Sequence, residues 1–252
     1  MNQYDIFADI YDIDLGKIDR DLKMYSKMLN ECKKILILSC GTGRETNYFS
    51  NDFEEVWGLD ISEKMLKEAK KKTFDKNNVE YIQGDMKSFN LNEKFDAIII
   101  PNNGILHLLK LKDIEECLLN CKKHLNENGI IVLDYFIPDY KALASQSSGK
   151  IHDYTKYDEE LKKYITRERV HTRNAFNKLN HTQIFYEFTD EQGNSLKRIC
   201  EYTIRYLFVD EFELITRLTD IKIEERYGGF EFENYGKKHT NVIYKLRVGT
   251  KQ

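Results

Sequence analysis

The sequence predicts an α/β fold: a doubly wound, mostly parallel sheet of seven strands carrying an antiparallel β insertion. Three observations carry this. Short aliphatic runs, such as Ile35–Leu38 and Phe95–Ile100, recur between stretches of helical spacing. These runs are apolar throughout, as strands covered on both faces are. Past residue 150 the pattern changes to strict alternation, the mark of an antiparallel sheet with one wet face.

Residues 18–30 place Ile18, Leu22, Tyr25 and Leu29 on one helical face. Ile35–Leu38 is the first strand, and a helix opens at residue 44. Val56–Leu59 is the second strand, ended by Asp60, and Ser62 is a suitable N-cap for the helix holding Met65, Leu66 and Ala69. Val79–Ile82 and Phe95–Ile100 are the third and fourth strands. Asp113 is expected to cap the next helix, with Glu116 closing a capping box. That helix puts Ile114, Cys117, Leu118, Cys121 and Leu125 on one stripe, so its two cysteines read as core rather than as metal ligands. Its last turn holds His124, placed to serve the helix dipole. Gly129 opens the fifth strand, Ile130–Leu133. Segments 163–173, 182–189 and 198–209 alternate, and Asp190–Asn194 is a hairpin turn by composition. A helix over 210–219 and strands over 221–227 and 241–248 complete the sheet. The simplest organisation is one domain of residues 1–149 and 210–252, interrupted by an antiparallel insertion, 150–209.

Composition narrows the function. The 252 residues include 39 basic and 42 acidic side chains, for a net charge of −3, so there is no basic footprint for nucleic acid. No apolar stretch approaches the ~20 residues of a membrane span, and the acidic start MNQYDIFADI does not read as a signal peptide. Five sparse cysteines suit free thiols, and the chain is expected in the cytoplasm.

The turn Gly41-Thr42-Gly43 ends the first strand, where glycines let a ligand approach the backbone. Arg44-Glu45-Thr46 rules out a phosphate-binding loop, which needs Gly-Lys-Ser/Thr there. Asp60 ends the second strand about 20 residues on, the place for an acid that takes both hydroxyls of a ribose. Asp85, with Met86 beside it, could accept an adenine amine while the thioether covers the ring. Pro101-Asn102-Asn103-Gly104 ends the fourth strand. Four successive strands thus finish in ligand-competent groups on one sheet edge.

The ordered segments SCGTG (39–43), GLDIS (58–62), GDM (84–86), FDAIIIPNNGILHL (95–108) and LNENGIIVLDYF (125–136) resemble the class I S-adenosylmethionine-dependent methyltransferases, a Rossmann-like fold. The resemblance runs from about residue 4 to 248. It implies S-adenosyl-L-methionine as cofactor and S-adenosyl-L-homocysteine as product. It places Ser39, Gly41, Thr42, Gly43, Asp60, Ile61, Asp85, Met86 and Asn102 around the cofactor. One position departs from the pattern. The first strand often carries an acid that helps hold the cofactor's ammonium group, and here that residue is Ile37. Backbone carbonyls at Ser39 or Asn102, or a side chain from the N-terminal segment, could replace it.

The start YDIFADIYD (4–12) resembles the lid of the small-molecule branch, notably the amino-sugar N-methyltransferases. By that resemblance Tyr11 contacts the cofactor, Tyr4 faces the acceptor, and His107 lies in the acceptor pocket. Tyr4, Ile6, Phe7 and Tyr11 could equally form a helix packed on the core. An amine acceptor must be neutral to attack, so His107 could be its base or could orient it. Tyr135 and Phe136 could line the acceptor pocket. The insertion could roof that pocket or join two copies in a homodimer. Arg167, Arg169 and His171 share a strand face that reads most simply as solvated. The expected function is methyl transfer to a small molecule, with nitrogen slightly favoured as acceptor atom. A catalytically silent cofactor-binding or regulatory protein and a Rossmann-type oxidoreductase are the alternatives.

Overall fold

The computed structural model describes residues 3–6, 8–15 and 19–249, so the expectations on Phe7 and Ile18 lie outside the described residues. In chain order, a 3₁₀ turn (Gln3–Ile6) precedes α1 (Tyr11–Leu15), α2 (Arg20–Met28), β1 (Lys34–Leu38), α3 (Arg44–Phe49), β2 (Glu55–Asp60), α4 (Glu63–Lys72), β3 (Val79–Gln83) and β4 (Phe95–Ile100). A second 3₁₀ turn (Gly104–His107) leads to α5 (Leu111–His124), β5 (Leu125–Phe136) and α6 (Tyr140–Leu143). Then come β6 (Ser147–Asp158), β7 (Lys163–Asn174), β8 (Leu179–Thr189), β9 (Ser195–Arg205), α7 (Val209–Leu218), β10 (Ile221–Tyr227) and β11 (Asn241–Val248). The chain divides into two compact units, Met1–Ile137 with Leu207–Gln252, and Pro138–Tyr206.

The first unit holds the expected seven-stranded sheet, in the order β10-β11-β5-β4-β1-β2-β3. Pairings from β3 through to β5 are parallel, whereas β11 runs antiparallel to both of its neighbours. The strands are apolar runs because helices cover both faces. Ile35, Leu36, Ile37 and Leu38 are wholly buried, and Ile37 packs in a core with Tyr25, Leu29, Phe49, Ile99 and Val132. Strand order reverses between β1 and β4, which opens a crevice outside their carboxyl ends. Ser62 caps α4 as expected, its Oγ accepting from the Met65 N–H at 3.2 Å.

Several local expectations are corrected. Helix α5 begins at Leu111 with Lys110 as N-cap, so Asp113 sits inside the first turn and caps nothing. His124 is no cation for the helix dipole. Its Nε2 accepts from the Leu91 N–H at 3.0 Å, which requires a neutral ring whose Nδ1–H donates to the Asn120 carbonyl at 2.9 Å. Tyr135 lies within β5, not after it, and is wholly buried against Phe212 and Tyr244, so it lines no pocket. Cys117 and Cys121 are buried free thiols, and no group of side chains suited to a metal occurs among the described residues.

The second unit is a four-stranded antiparallel sheet, β6-β7-β8-β9. Strand β8 alternates in burial along its whole length, with Ile184, Tyr186 and Phe188 on the covered face. The Asp190 carboxylate closes the β8–β9 turn, accepting from the N–H groups of Gln192 and Asn194 at 3.0 and 2.8 Å. Strand β9 stops at Arg205, so Tyr206 and Phe208 lie beyond it rather than in its alternation. Strand β6 escapes sequence reading. It is an edge strand with two register shifts and few buried side chains, so it has no hydrophobic period. Arg167 does not sit on a simply solvated face, because it is paired with Asp153 of β6, and both side chains are largely covered.

Candidate cofactor and acceptor site

The site is built at the carboxyl ends of β1, β2 and β4. The glycine turn leaves β1 with Ser39 in the left-handed region, φ 50°, and Gly41 and Gly43 at φ 54° and 79°. Asn102 and Asn103 leave β4 in the same region, at φ 52° and 62°. Three non-glycine residues thus hold an uncommon backbone conformation at one sheet edge, a feature that clusters at functional sites.

Asp60 locks β2 to the turn. One carboxylate oxygen accepts from the Gly41 N–H at 2.8 Å and the other from the Ser62 N–H at 2.9 Å. Burial raises its pKa, while the hydrogen bonds from Ser62 and Gly41 act in the opposite direction. Each oxygen retains a lone pair, so the carboxylate fits a ribose whose two hydroxyls would donate to it. Ile61 beside it is 47% exposed, an aliphatic face that an adenine ring could cover. Asp85 and Met86 are half-buried past the end of β3, and Asp85 Oδ1 accepts from the Lys87 N–H at 2.9 Å.

The two glycines differ. A Cβ at Gly41 would meet only the Tyr11 ring, at 3.7 Å, so the turn is open there and Tyr11 stands beside it. A Cβ at Gly43 would meet the Tyr81 hydroxyl at 2.6 Å and the Ala69 methyl at 2.8 Å. The space at Gly43 is therefore filled by protein. A side chain there would collide with α4 and β3.

The N-terminal segment is fastened to this edge. Ser62 Oγ donates to Asp5 at 2.7 Å, and Thr42 Oγ1 donates to Asp12 at 2.6 Å. Lys72 pairs with the same Asp12 at 2.6 Å. Tyr4 reaches furthest, its hydroxyl lying 2.7 Å from His107 Nδ1 with the rings edge to face. His107 is half-buried, and the protein around its ring pushes its pKa down to about 4, so the imidazole is neutral near pH 7.

Sequence reasoning missed a buried polar cluster behind Asn102. The Asn102 N–H donates to Asp134 at 2.8 Å, and its side-chain amide donates to Glu45 at 2.9 Å. Tyr25 donates its hydroxyl to the same Asp134 oxygen, and Arg44 joins Asp21 to Glu45. Burial pushes the Asp134 pKa up to about 6 against these hydrogen bonds. The only signal was the charged pair opening α3 directly after the turn, which reads as an ordinary solvated helix start.

The pattern that defines the methyltransferase-domain family runs through residues 35–129, from β1 into β5. This region is a methyltransferase domain. Such a domain, in the class I fold found here, takes S-adenosylmethionine as its cofactor, and the residues at the sheet edge fit that molecule's ribose and adenine. The chain as a whole resembles amino-sugar N-methyltransferases. A dTDP-3-amino-3,4,6-trideoxy-α-D-glucopyranose N,N-dimethyltransferase of Streptomyces venezuelae is 30% identical over 104 residues, 41% of this chain and 43% of that one. A dTDP-4-amino-2,3,4,6-tetradeoxy-D-glucose N,N-dimethyltransferase of Saccharopolyspora spinosa is 24% identical over 87% of this chain and 86% of its own. The crystal structure of an S-adenosylmethionine-dependent methyltransferase from Clostridium acetobutylicum matches 99% of this chain and all of its own with a TM-score of 0.81, at 21% identity, and so shares the fold. The match to the first of these relatives spans less than half of that protein's length.

Proposed function

We propose that the chain is an S-adenosylmethionine-dependent methyltransferase acting on a small molecule, with an amine nitrogen as acceptor. The observation that carries this reading is the Tyr4–His107 pair, set just past the strand edge where Asp60 and the glycine turn meet. The relatives that methylate sugar amines support nitrogen as the acceptor atom. In this reading Asp60 takes the ribose hydroxyls, Asp85 and Met86 with Ile61 flank the adenine, and Tyr11, Ser39, Gly41, Thr42, Gly43 and Asn102 enclose the methionine end.

The bound cofactor supplies a methyl group made electrophilic by its sulfonium. The protein's task is then to hold a neutral nitrogen in line with it. His107, with its pKa near 4, is a poor acceptor for an ammonium proton. Its role in this reading is orientation: the Tyr4–imidazole bond fixes the ring beside the place where the acceptor would be held. The acceptor ammonium loses its proton to solvent before attack.

Calorimetric titration with S-adenosylhomocysteine and with NAD tests the cofactor reading. Binding of NAD alone favours an oxidoreductase. Binding of S-adenosylhomocysteine without methyl transfer to any of a panel of amino sugars and their nucleotide conjugates favours a silent binding protein. Two further parts belong to this proposal. One is a homodimer through the antiparallel unit, where Leu196 and Ile199 on edge strand β9 are more than half exposed; light scattering measures it. The other is a cytoplasmic setting, which five free thiols support. No helix among the described residues is long and apolar enough to cross a membrane.

A further inference from the structure

We propose that Glu45 is the carboxylate that receives the ammonium group of the cofactor's amino-acid end. The assignment rests on the S-adenosylmethionine reading above and names a residue outside every motif that led to it.

Asp21, Glu45 and Asp134 are all buried, at 4, 3 and 5% exposure. Arg44 alone among the described residues answers them as a cation, pairing with both Asp21 and Glu45. Even with Asp134 protonated, two carboxylates share one guanidinium. An unbalanced buried charge is costly, and a ligand that brings a cation relieves that cost.

Geometry places the excess at the crevice. Glu45 lies in the first turn of α3, two residues after Gly43. Its Oε1 accepts from Arg44 Nε at 3.0 Å, from Arg44 Nη2 at 2.6 Å and from Asn102 Nδ2 at 2.9 Å. No hydrogen bond from another described residue reaches Oε2. Asn102 is held from both sides, by Glu45 at its amide and by Asp134 at its N–H. It sits where β4 ends, beside the end of β1, at the point where strand order reverses. The carboxylate is thus tied to Asn102 at the end of β4, and the one further hydrogen bond it takes is from its own backbone N–H.

The other acids are excluded by their own bonds. Asp60 spans Gly41 and Ser62. Asp134 accepts from the Tyr25 hydroxyl and from the N–H groups of both Asn102 and Asn103. Strand β1 offers no charge, since Ile37 is wholly buried in the core.

The test compares three ligands by calorimetry: S-adenosylhomocysteine, its analogue lacking the α-amino group, and 5′-methylthioadenosine, which lacks the whole amino-acid end. Wild-type protein is expected to bind the deaminated analogue about 10–100-fold more weakly than S-adenosylhomocysteine. Glu45→Gln should lose the same factor for S-adenosylhomocysteine, and little for the other two. Equal losses for all three ligands would make Glu45 a structural residue and overturn the assignment. So would wild-type indifference to the amino group. If Glu45→Gln does not fold, Glu45→Asp withdraws the carboxylate by one methylene and should show a smaller loss of the same selectivity; an even loss there overturns the proposal as well. Wild-type protein that binds none of the three refutes the cofactor reading itself, a result distinct from loss of selectivity.

Discussion

The Tyr4 hydroxyl and the His107 Nδ1 lie 103 residues apart in the chain and 2.7 Å apart in space. The bond ties the N-terminal segment to the turn that follows β4, so two elements with no sequence relationship form one polar surface. If His107 orients the acceptor, His107→Asn should leave S-adenosylhomocysteine affinity intact and lower turnover by less than the ~10²-fold that general-base loss brings. Tyr4→Phe should lower turnover in the same direction. A fall of ~10⁴-fold in the histidine variant would restore a role in proton removal. Turnover against pH should show no inflection from this imidazole near neutrality.

The same shift has a signature in stability. The His107 pKa is lowered from 6.5 to about 4, so the unfolded chain binds the extra proton first as pH falls. Its contribution to stability is therefore present above about 6.5 and lost on acidification toward 4. Asp134 acts in the opposite sense. Its pKa is raised from 3.8 to about 6, so the unfolded chain ionises first and stability falls as pH rises between those values. Urea unfolding across this range is expected to show wild-type protein losing ground to Asp134→Asn as pH climbs from about 4 to 6. Against His107→Asn, it should gain ground over about 4 to 6.5.

Asp60 carries a structural load besides its proposed ligand. Asp60→Ala removes acceptors from the Gly41 and Ser62 N–H groups, so a stability loss of ~1–2 kcal/mol should accompany the loss of S-adenosylhomocysteine affinity. Asp60→Asn keeps one acceptor oxygen. It should recover part of the stability while still binding poorly, and a calorimetric Kd unchanged in both variants would remove Asp60 from the ribose site.

Gly43→Ala tests packing rather than the ligand. Its methyl would meet Ala69 and Tyr81, on a backbone at φ 79° that favours glycine. A loss of ~1–3 kcal/mol in urea unfolding is expected. Adding Tyr81→Phe removes the nearest of these contacts and should restore part of it. Full stability of the single variant would show that α4 yields freely.

The Asp12 latch is more exposed and correspondingly weaker. Thr42→Val removes the hydroxyl that Asp12 and Lys72 share. Because the Lys72–Asp12 pair is partly solvated, the stability change should stay within ~1 kcal/mol. The effect is expected in kinetics, as faster release of S-adenosylhomocysteine in stopped-flow displacement. Unchanged release would separate the segment from ligand retention.

The parallel sheet was legible because strands covered on both faces, such as β1 and β4, are written as unbroken aliphatic runs. Strand β6 was not, since an edge strand buries too little to impose a period. The groups gathered at the sheet edge could be found because glycine, a strand-terminal acid and a polar β4 end carry their chemistry in their position. Glu45, Asp5 and Asp12 could not. A carboxylate in a short helix looks the same in sequence whether it faces water or an arginine buried beside it. Gly43 shows the opposite failure: its glycine was read as room for a ligand, when the room is taken by Ala69 and Tyr81.

The place of β11 in the sheet also fixes an order of assembly. It pairs with β5 on one side and β10 on the other, and the partner residues Phe136 and Asn241 are separated by the entire antiparallel unit. During synthesis, β5 is complete long before β11 leaves the ribosome. Until then β5 presents an open edge of Ile131, Leu133 and Tyr135 backbone, the kind of edge that captures stray strands. A chain halted near residue 206 would hold β1 to β9 and still lack β10 and β11, the second of which seals the parallel sheet. Nascent chains of that length are therefore the species most in need of chaperone cover.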